Sequence, residues 1–207
     1  MKGKDTSQGL ASRLNKPAPD DGLMVKILKS EGGVVFTKTN VPQILMLPES
    51  TNFIWGRAKN PWDKTRCTGG SSGGEASMIA ARCSPLGIGN DIGGSGRIPA
   101  FFNGISSLKP FSKTITSEGV DGMGPSLDCI LNLPVANAPF AKSCRDINLL
   151  MKVLLNNNLI KKSGPFTGNS YHYKREWDEK KVNTFRKGLN IAYVKSEHFF
   201  PASPPCQ

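Results

Sequence analysis

From Thr68 to Gly96 the chain is so dense in glycine and serine that neither one long helix nor one long strand can span it. Only Glu75–Arg82, inside it, reads as a helix. Composition alone makes such a stretch a flexible linker. The order of its residues therefore has to decide whether it carries chemistry.

Three constellations can be tested against that order. Gly69 to Gly74 have the spacing of a phosphate-binding loop, but Glu75 stands where a lysine must reach the phosphates, and a carboxylate there repels the ligand. In Gly87-Ile88-Gly89-Asn90-Asp91-Ile92 an isoleucine occupies the third-glycine position of a dinucleotide fingerprint. Gly69-Gly70-Ser71-Ser72-Gly73 matches the G-x-S-x-G nucleophile elbow, which needs a later acid and then a histidine. Asp128 or Asp178 followed by His198 satisfies that order and nothing more. The elbow should also follow a hydrophobic strand, which Lys64-Thr65-Arg66-Cys67-Thr68 is not. His172 and His198 are given no catalytic role.

Ordinary periodicity returns on either side. Residues 1–19 read as a polar loop. Asp20 and Asp21 are expected to cap a helix whose apolar positions are Leu23, Met24, Ile27 and Leu28. Gly32-Gly33 ends it, and Val34-Val35-Phe36 is expected as a short buried strand. Arg145–Leu155 reads as a second helix with Asp146 near its start. Residues 159–187 form a polar basic connection whose lysines make a solvated face, and Leu189–Val194 alternates like a new strand. Helix followed by strand suggests an α/β architecture, with no internal repeat.

A chain of 207 residues can bury about 70% of its unfolded surface. Hydrophobic residues at 38% and charged residues at 21% exclude an outright disordered chain. The net charge of +11 permits nucleic acid or an anionic membrane surface as a partner. Aromatics are only 8%, with no stacking motif among the basic residues, so no nucleic-acid partner is expected. The five cysteines (67, 83, 129, 144 and 206) form no CxxC pair and only two histidines accompany them, so no metal and no cofactor are expected. Cys67 and Cys83 read as buried or incidental thiols in a reduced, intracellular protein. Met1-Lys2-Gly3-Lys4-Asp5 leads into polar residues, unlike a signal peptide. No apolar run is long enough to cross a membrane, Ile147–Leu155 being broken by Asn148 and Lys152.

The whole central stretch does match one pattern. Gly69-Gly70-Ser71-Ser72-Gly73-Gly74-Glu75, Ser84-Pro85-Leu86-Gly87-Ile88-Gly89 and Asp91-Ile92-Gly93-Gly94-Ser95 occur in order, extended by Arg97-Ile98-Pro99 and Leu108-Lys109-Pro110. Upstream, Lys38-Thr39-Asn40-Val41-Pro42-Gln43 and Lys59-Asn60-Pro61-Trp62 also fit. This run resembles the amidase signature family, and its flanks look most like the fatty-acid amide hydrolases of that family. The resemblance implies an α/β fold with a mixed central β-sheet covered by helices, incomplete at both ends. Residues 1–207 would be a partial amidase domain, with 68–110 as its signature core.

It also implies a reaction. The family hydrolyses amides, and sometimes esters, through an acyl-enzyme formed by a Ser–Ser–Lys arrangement. Carried over, Ser95 is the nucleophile. Ser71 relays the proton between Ser95 and a neutral lysine and protonates the leaving amine. A serine hydroxyl is a weak nucleophile until a neighbouring base takes its proton, and Ser–Lys pairs do this in hydrolases. The backbone N–H groups of Ile92, Gly93, Gly94 and Ser95 would form the oxyanion hole. The Gly70–Ser71 peptide would be cis, Asp91 and Arg97 would buttress the loop by hydrogen bonds, and Leu45 would position substrate with a main-chain group. The implied substrates are fatty-acid amides or other small amides, with no cofactor and with a membrane surface as an allowed partner.

The chain also departs from the family. By alignment the catalytic lysine lies shortly before the segment that Lys2-Gly3-Lys4-Asp5-Thr6-Ser7 resembles, so it is expected ahead of Met1. Lys2 and Lys4 lie past that position. Family members also continue well beyond the strand near residue 191. The isolated chain is therefore expected to turn over little or no substrate, and a non-catalytic amidase-like module that binds lipid or protein stays open as a second class. Gly96 stands where a bulkier apolar residue is usual, and Arg82-Cys83 replaces a small, glycine-rich pair. Both changes are expected to loosen the loop carrying Ser95.

Overall fold

The computed structural model describes residues 1–112, 114–120, 135–162 and 177–178. The expected strand at 189–194 and most of the 159–187 connection lie outside them, as do Cys129, Cys206, Asp128, His172 and His198.

Residues 1–19 are loop, held by isolated bridges from Lys2 to Ala18 and from Asp5 to Pro17 and by a single 3₁₀ turn at Ala11–Arg13. The first helix, α1 (Leu23–Ser30), buries Leu23 and Ile27 on one face, as its apolar spacing requires. Its N-cap is Gly22 rather than an aspartate. Asp20 and Asp21 instead receive the ammonium groups of Lys26 (2.5 Å) and Lys29 (2.6 Å), reaching back from within the helix. The helix stops at Gly32, whose φ of +82° suits only glycine at low cost, and the Gly33 N–H closes onto the Leu28 carbonyl at 2.8 Å.

The segment after it departs from expectation. Val34-Val35-Phe36 is neither strand nor core: Val34 is 84% exposed and Phe36 57%. β-propensity acts through cross-strand neighbours, and no strand of the described residues pairs with this segment.

Thr51–Asn52 (β1) and Gly56–Arg57 (β2) then form a short antiparallel hairpin, its turn closed by the Asn52 side chain accepting from the Ile54 and Trp55 amides. The main sheet contains β3 (Leu86–Asp91), β4 (Ser106–Ser107) and β5 (Ala136–Ala141) in the order β3-β5-β4. Both outer strands run antiparallel to β5, with Leu86 opposite Ala141, Asp91 opposite Ala136 and Ser107 opposite Phe140.

β5 is buried along its whole length, which explains its run of small and apolar residues. Ala138 and Phe140 pack on Ala76 and Ile79 of α2 (Gly73–Ala80) and on Ala100 of α3 (Arg97–Asn103). Ala141 joins a second core with Leu23 and Ile27 of α1 and with Ile147, Leu150 and Leu154 of α4 (Cys144–Asn156). Helices thus contribute to two cores that meet at one sheet, an α/β arrangement. Phe140, fully buried at the centre, contributes about 2–3 kcal/mol by burial.

α4 matches the helix read at Arg145–Leu155, one residue longer at each end. Its cap is reciprocal: Ser143 Oγ accepts the Asp146 N–H (3.2 Å) and donates to the Asp146 carboxylate (2.7 Å). A short helix, α5 (Asn158–Lys162), follows it. α2 starts at Gly73, two residues before the expected Glu75, and ends at Ala80.

Candidate active site

β3 ends on Asp91, whose carboxylate is wholly buried, and the next six residues are folded around it. Oδ1 accepts the Gly94 N–H (2.8 Å) and Oδ2 accepts those of Gly96 (3.0 Å) and Arg97 (3.1 Å). The Arg97 guanidinium closes the ring, with Nε on Oδ2 and Nη2 on Oδ1, each at 3.0 Å. Burial alone would raise the pKa of this carboxyl. Arg97 and the three amides outweigh it and hold the group at about 2, so it is ionised at neutral pH. Gly94 adopts φ +122°, a conformation closed to other residues, and this turn sets Ser95 half-buried above the start of α3.

The ring also sorts the loop amides. The Gly94 N–H points inward to Asp91, while those of Ile92, Gly93 and Ser95 have no part in it. Gly93 is exposed, with open space where a side chain would begin. Gly96 is not a loosening feature. A Cβ there would come 2.7 Å from Ala138 Cβ, so the sheet already fills the space a larger residue would take.

Ser71 lies on the segment entering α2 and is buried. Two contacts hold this segment against the end of β3 and the Ser95 loop. The Ser72 N–H donates to the Ser95 carbonyl (3.1 Å), and Ser72 Oγ meets both the N–H and the carbonyl of Asn90 at 3.4 Å. The Gly70–Ser71 peptide is cis.

The segment is also tied from behind by Ser50. Its hydroxyl faces the carbonyls of Gly69 (3.2 Å) and Ser71 (2.9 Å) and accepts the Gly73 N–H (2.8 Å). Asn103, buried at the end of α3, donates to the Thr68 and Pro99 carbonyls, both at 2.8 Å. Trp62 Nε1 donates in turn to the Asn103 carbonyl (2.8 Å). Glu75 reaches out of α2 to accept the Thr39 hydroxyl (2.8 Å), and its burial pushes the carboxyl pKa up.

Leu45 sits in a tight turn at Gln43–Leu45, where Ile44 and Leu45 both have positive φ (51° and 63°). Its N–H is committed to the Pro42 carbonyl (3.1 Å), which leaves the Leu45 carbonyl as the main-chain group able to face a ligand. The chain just after it packs on Gly70: a Cβ on Gly70 would lie 2.6 Å from the Leu47 carbonyl. The turn, the Ser71 segment and the Ser95 loop therefore form one continuous set of contacts.

Among the described residues no lysine hydrogen-bonds to Ser71; Lys2 and Lys4 are exposed, and Lys38 Nζ reaches the Asp5 carbonyl (2.8 Å) and Thr6 Oγ1 (2.5 Å). Cys67 is half-buried, while Cys83 and Cys144 are exposed free thiols. No cluster of metal-ligating side chains and no helix able to cross a membrane occurs among the described residues. Sequence reasoning missed Ser50 and Asn103 altogether. A lone serine in a polar loop and one asparagine near a helix end carry no local signal.

A strand end folded around the buried Asp91 carboxylate, with the Ser71 segment held beside it, forms the centre of this site. The Amidase family profile matches residues 1–207, and the chain belongs to that family. Among its relatives, fatty-acid amide hydrolase 1 of Sus scrofa is 39% identical over 154 residues, 74% of this chain and 26% of that protein. The vitamin D3 hydroxylase-associated protein of Gallus gallus is 32% identical over 203 residues, 98% of this chain and 42% of that protein. Among solved structures, a fatty acid amide hydrolase superposes with a TM-score of 0.73 at 32% identity over 82% of this chain and 30% of its own. A 6-aminohexanoate cyclic dimer hydrolase in complex with substrate gives 0.68 at 31% identity, over 74% of this chain and 31% of its own. The chain thus spans less than half the length of these relatives.

Proposed function

We propose that this chain carries the nucleophile half of an amide hydrolase acting on fatty-acid amides or other small amides. The observation behind this reading is the Ser72 N–H to Ser95 carbonyl bond at 3.1 Å, which keeps the Ser71 and Ser95 segments in register. Ser95 attacks the amide carbonyl carbon and forms an acyl-enzyme. Its proton passes to Ser71, and Ser71 returns a proton to the leaving amine. The N–H groups of Ile92, Gly93 and Ser95 receive the developing oxyanion, with Gly94 turned inward to fix their direction; losing one such donor typically costs about 3 kcal/mol. Asp91 and Arg97 act through the loop rather than on substrate. The Leu45 carbonyl positions the substrate amide. Water then releases the acid from Ser95 by the reverse relay. The fatty-acid preference rests on the likeness to the amide hydrolase of Sus scrofa.

A second reading, a non-catalytic amidase-like module that binds lipid or protein, draws on the lack of any lysine bonded to Ser71 among the described residues. A fluorophosphonate probe with an alkyl chain separates the two, read by peptide mass spectrometry with and without a free primary amine in place of the lysine. The hydrolase reading expects modification of Ser95 that the amine accelerates and that Ser71→Ala slows. An unmodified Ser95 under both conditions would favour the binding module.

A further inference from the structure

The far end of β3 borders a cleft of about 460 Å³. Five residue steps along the strand separate Leu86 from Asp91, about 17 Å from the Ser95 loop. The floor is apolar, made by Ile79 of α2, by Pro85 and Leu86, and by Leu149 of α4. The rim carries Arg82, Lys142 and Asp146.

These charges are not equivalent. The Asp146 carboxylate receives the Ser143 hydroxyl at 2.7 Å, in the cap of α4. Arg82 and Lys142 are exposed, and no ion pair among the described residues uses either of them. Lys142 Nζ lies 5.7 Å from the centre of the Trp62 ring.

Arg82 is also an unusual choice for its backbone. It closes α2 in the left-handed region, at φ +62°, with its N–H on the Ile79 carbonyl (3.0 Å) and that of Cys83 on the Met78 carbonyl (2.9 Å). Glycine is the low-cost residue for such a closure. A guanidinium is therefore set at the rim of the cleft on a backbone that favours glycine.

We propose that this cleft binds a free aliphatic carboxylic acid of medium chain length, its carboxylate held by Arg82 and Lys142 and its tail lying on Pro85, Leu86 and Leu149. A guanidinium matches a carboxylate in two parallel hydrogen bonds, and a lysine adds a point charge beside it. The volume lies within the range of small-molecule sites. Two rim cations that enter no ion pair among the described residues, beside one apolar floor, complement one anionic head and one tail. The assignment does not depend on the role of Ser95.

Octanoate titrated into the full chain tests it, followed by calorimetry and by tryptophan emission, which Trp62 beneath Lys142 makes responsive. Acetate supplies the head alone and octan-1-ol the tail alone. Arg82→Gly is a clean variant because its backbone already sits where glycine is favoured. The proposal expects saturable octanoate binding, weakened about tenfold or more by Arg82→Gly and by Lys142→Gln, as loss of a charge-assisted contact implies. Absent saturation overturns it, as does unchanged affinity in Arg82→Gly or equal binding of octan-1-ol. Phosphatidylserine vesicles captured through Arg82 without octanoate binding would also overturn it, in favour of a membrane headgroup.

Discussion

Replacing Asp91 by asparagine should remove a stabilisation that depends on pH in a calculable way. The carboxylate accepts five N–H groups, and its pKa falls from the ordinary 3.8 to about 2. A depressed acid stabilises the fold above its unfolded pKa, and the effect is lost as pH falls through the folded value. A shift of this size corresponds to about 2 kcal/mol at neutral pH, an upper value because the Arg97 side chain is 55% exposed and screened by water. The linkage relation places about 1 kcal/mol of the loss between about pH 6 and about pH 3, and about another 1 kcal/mol by about pH 2. In Asp91→Asn an NH₂ group also faces amide donors, so the variant should be about 2–4 kcal/mol less stable near neutrality. Urea unfolding of both proteins, followed by tryptophan fluorescence across that pH range, should show the gap narrowing on the acid side. Asp20, Asp21 and Asp63, held low chiefly by Lys26, Lys29 and Thr65, are present in both proteins and cancel. A gap that stays constant from about pH 6 to about pH 3 would refute the reasoning.

Gly74→Ala should cost about 2–3 kcal/mol in urea unfolding, because its Cβ would run into the backbone of Asn40. Asn103→Ala removes the buried donor to the Thr68 and Pro99 carbonyls and should lose about 2–4 kcal/mol, read as a fall in melting temperature. Ser143→Ala should lose about 1 kcal/mol from the α4 cap, measured by the same melt, and leave Ser95 probe labelling unchanged. Val34→Ser and Phe36→Ser should each shift stability by no more than about 0.5 kcal/mol; a buried strand would have cost several times more.

The parts legible in the sequence were those set by local chemistry. α4 carries its apolar spacing, with Asp146 near its start, within a few residues, and Gly32-Gly33 marks the end of α1 without help from elsewhere. The Asp91–Arg97 loop was legible through resemblance, because the order of glycines around Ser95 is long and specific. Elsewhere tertiary context decided. Val34-Val35-Phe36 has strand propensity and no partner, and Asp20 and Asp21 found lysine ammonium groups where caps were expected. Ser50 was illegible because its role exists only once residues 69, 71 and 73 come to it.

The Ser50 hydroxyl has a consequence for how this site can be moved between proteins. A segment cut at 68–110 keeps both serines and the Asp–Arg ring, but it leaves behind the hydroxyl that gathers Gly69, Ser71 and Gly73. It also leaves behind Asn40, which accepts the Gly74 N–H, and the Leu47–Glu49 backbone against Gly70. The motif is therefore not a portable cassette. Any graft, minimal domain or chimera has to take the chain from about residue 38 onward, because its glycines are shaped to fit a surface that lies outside the motif.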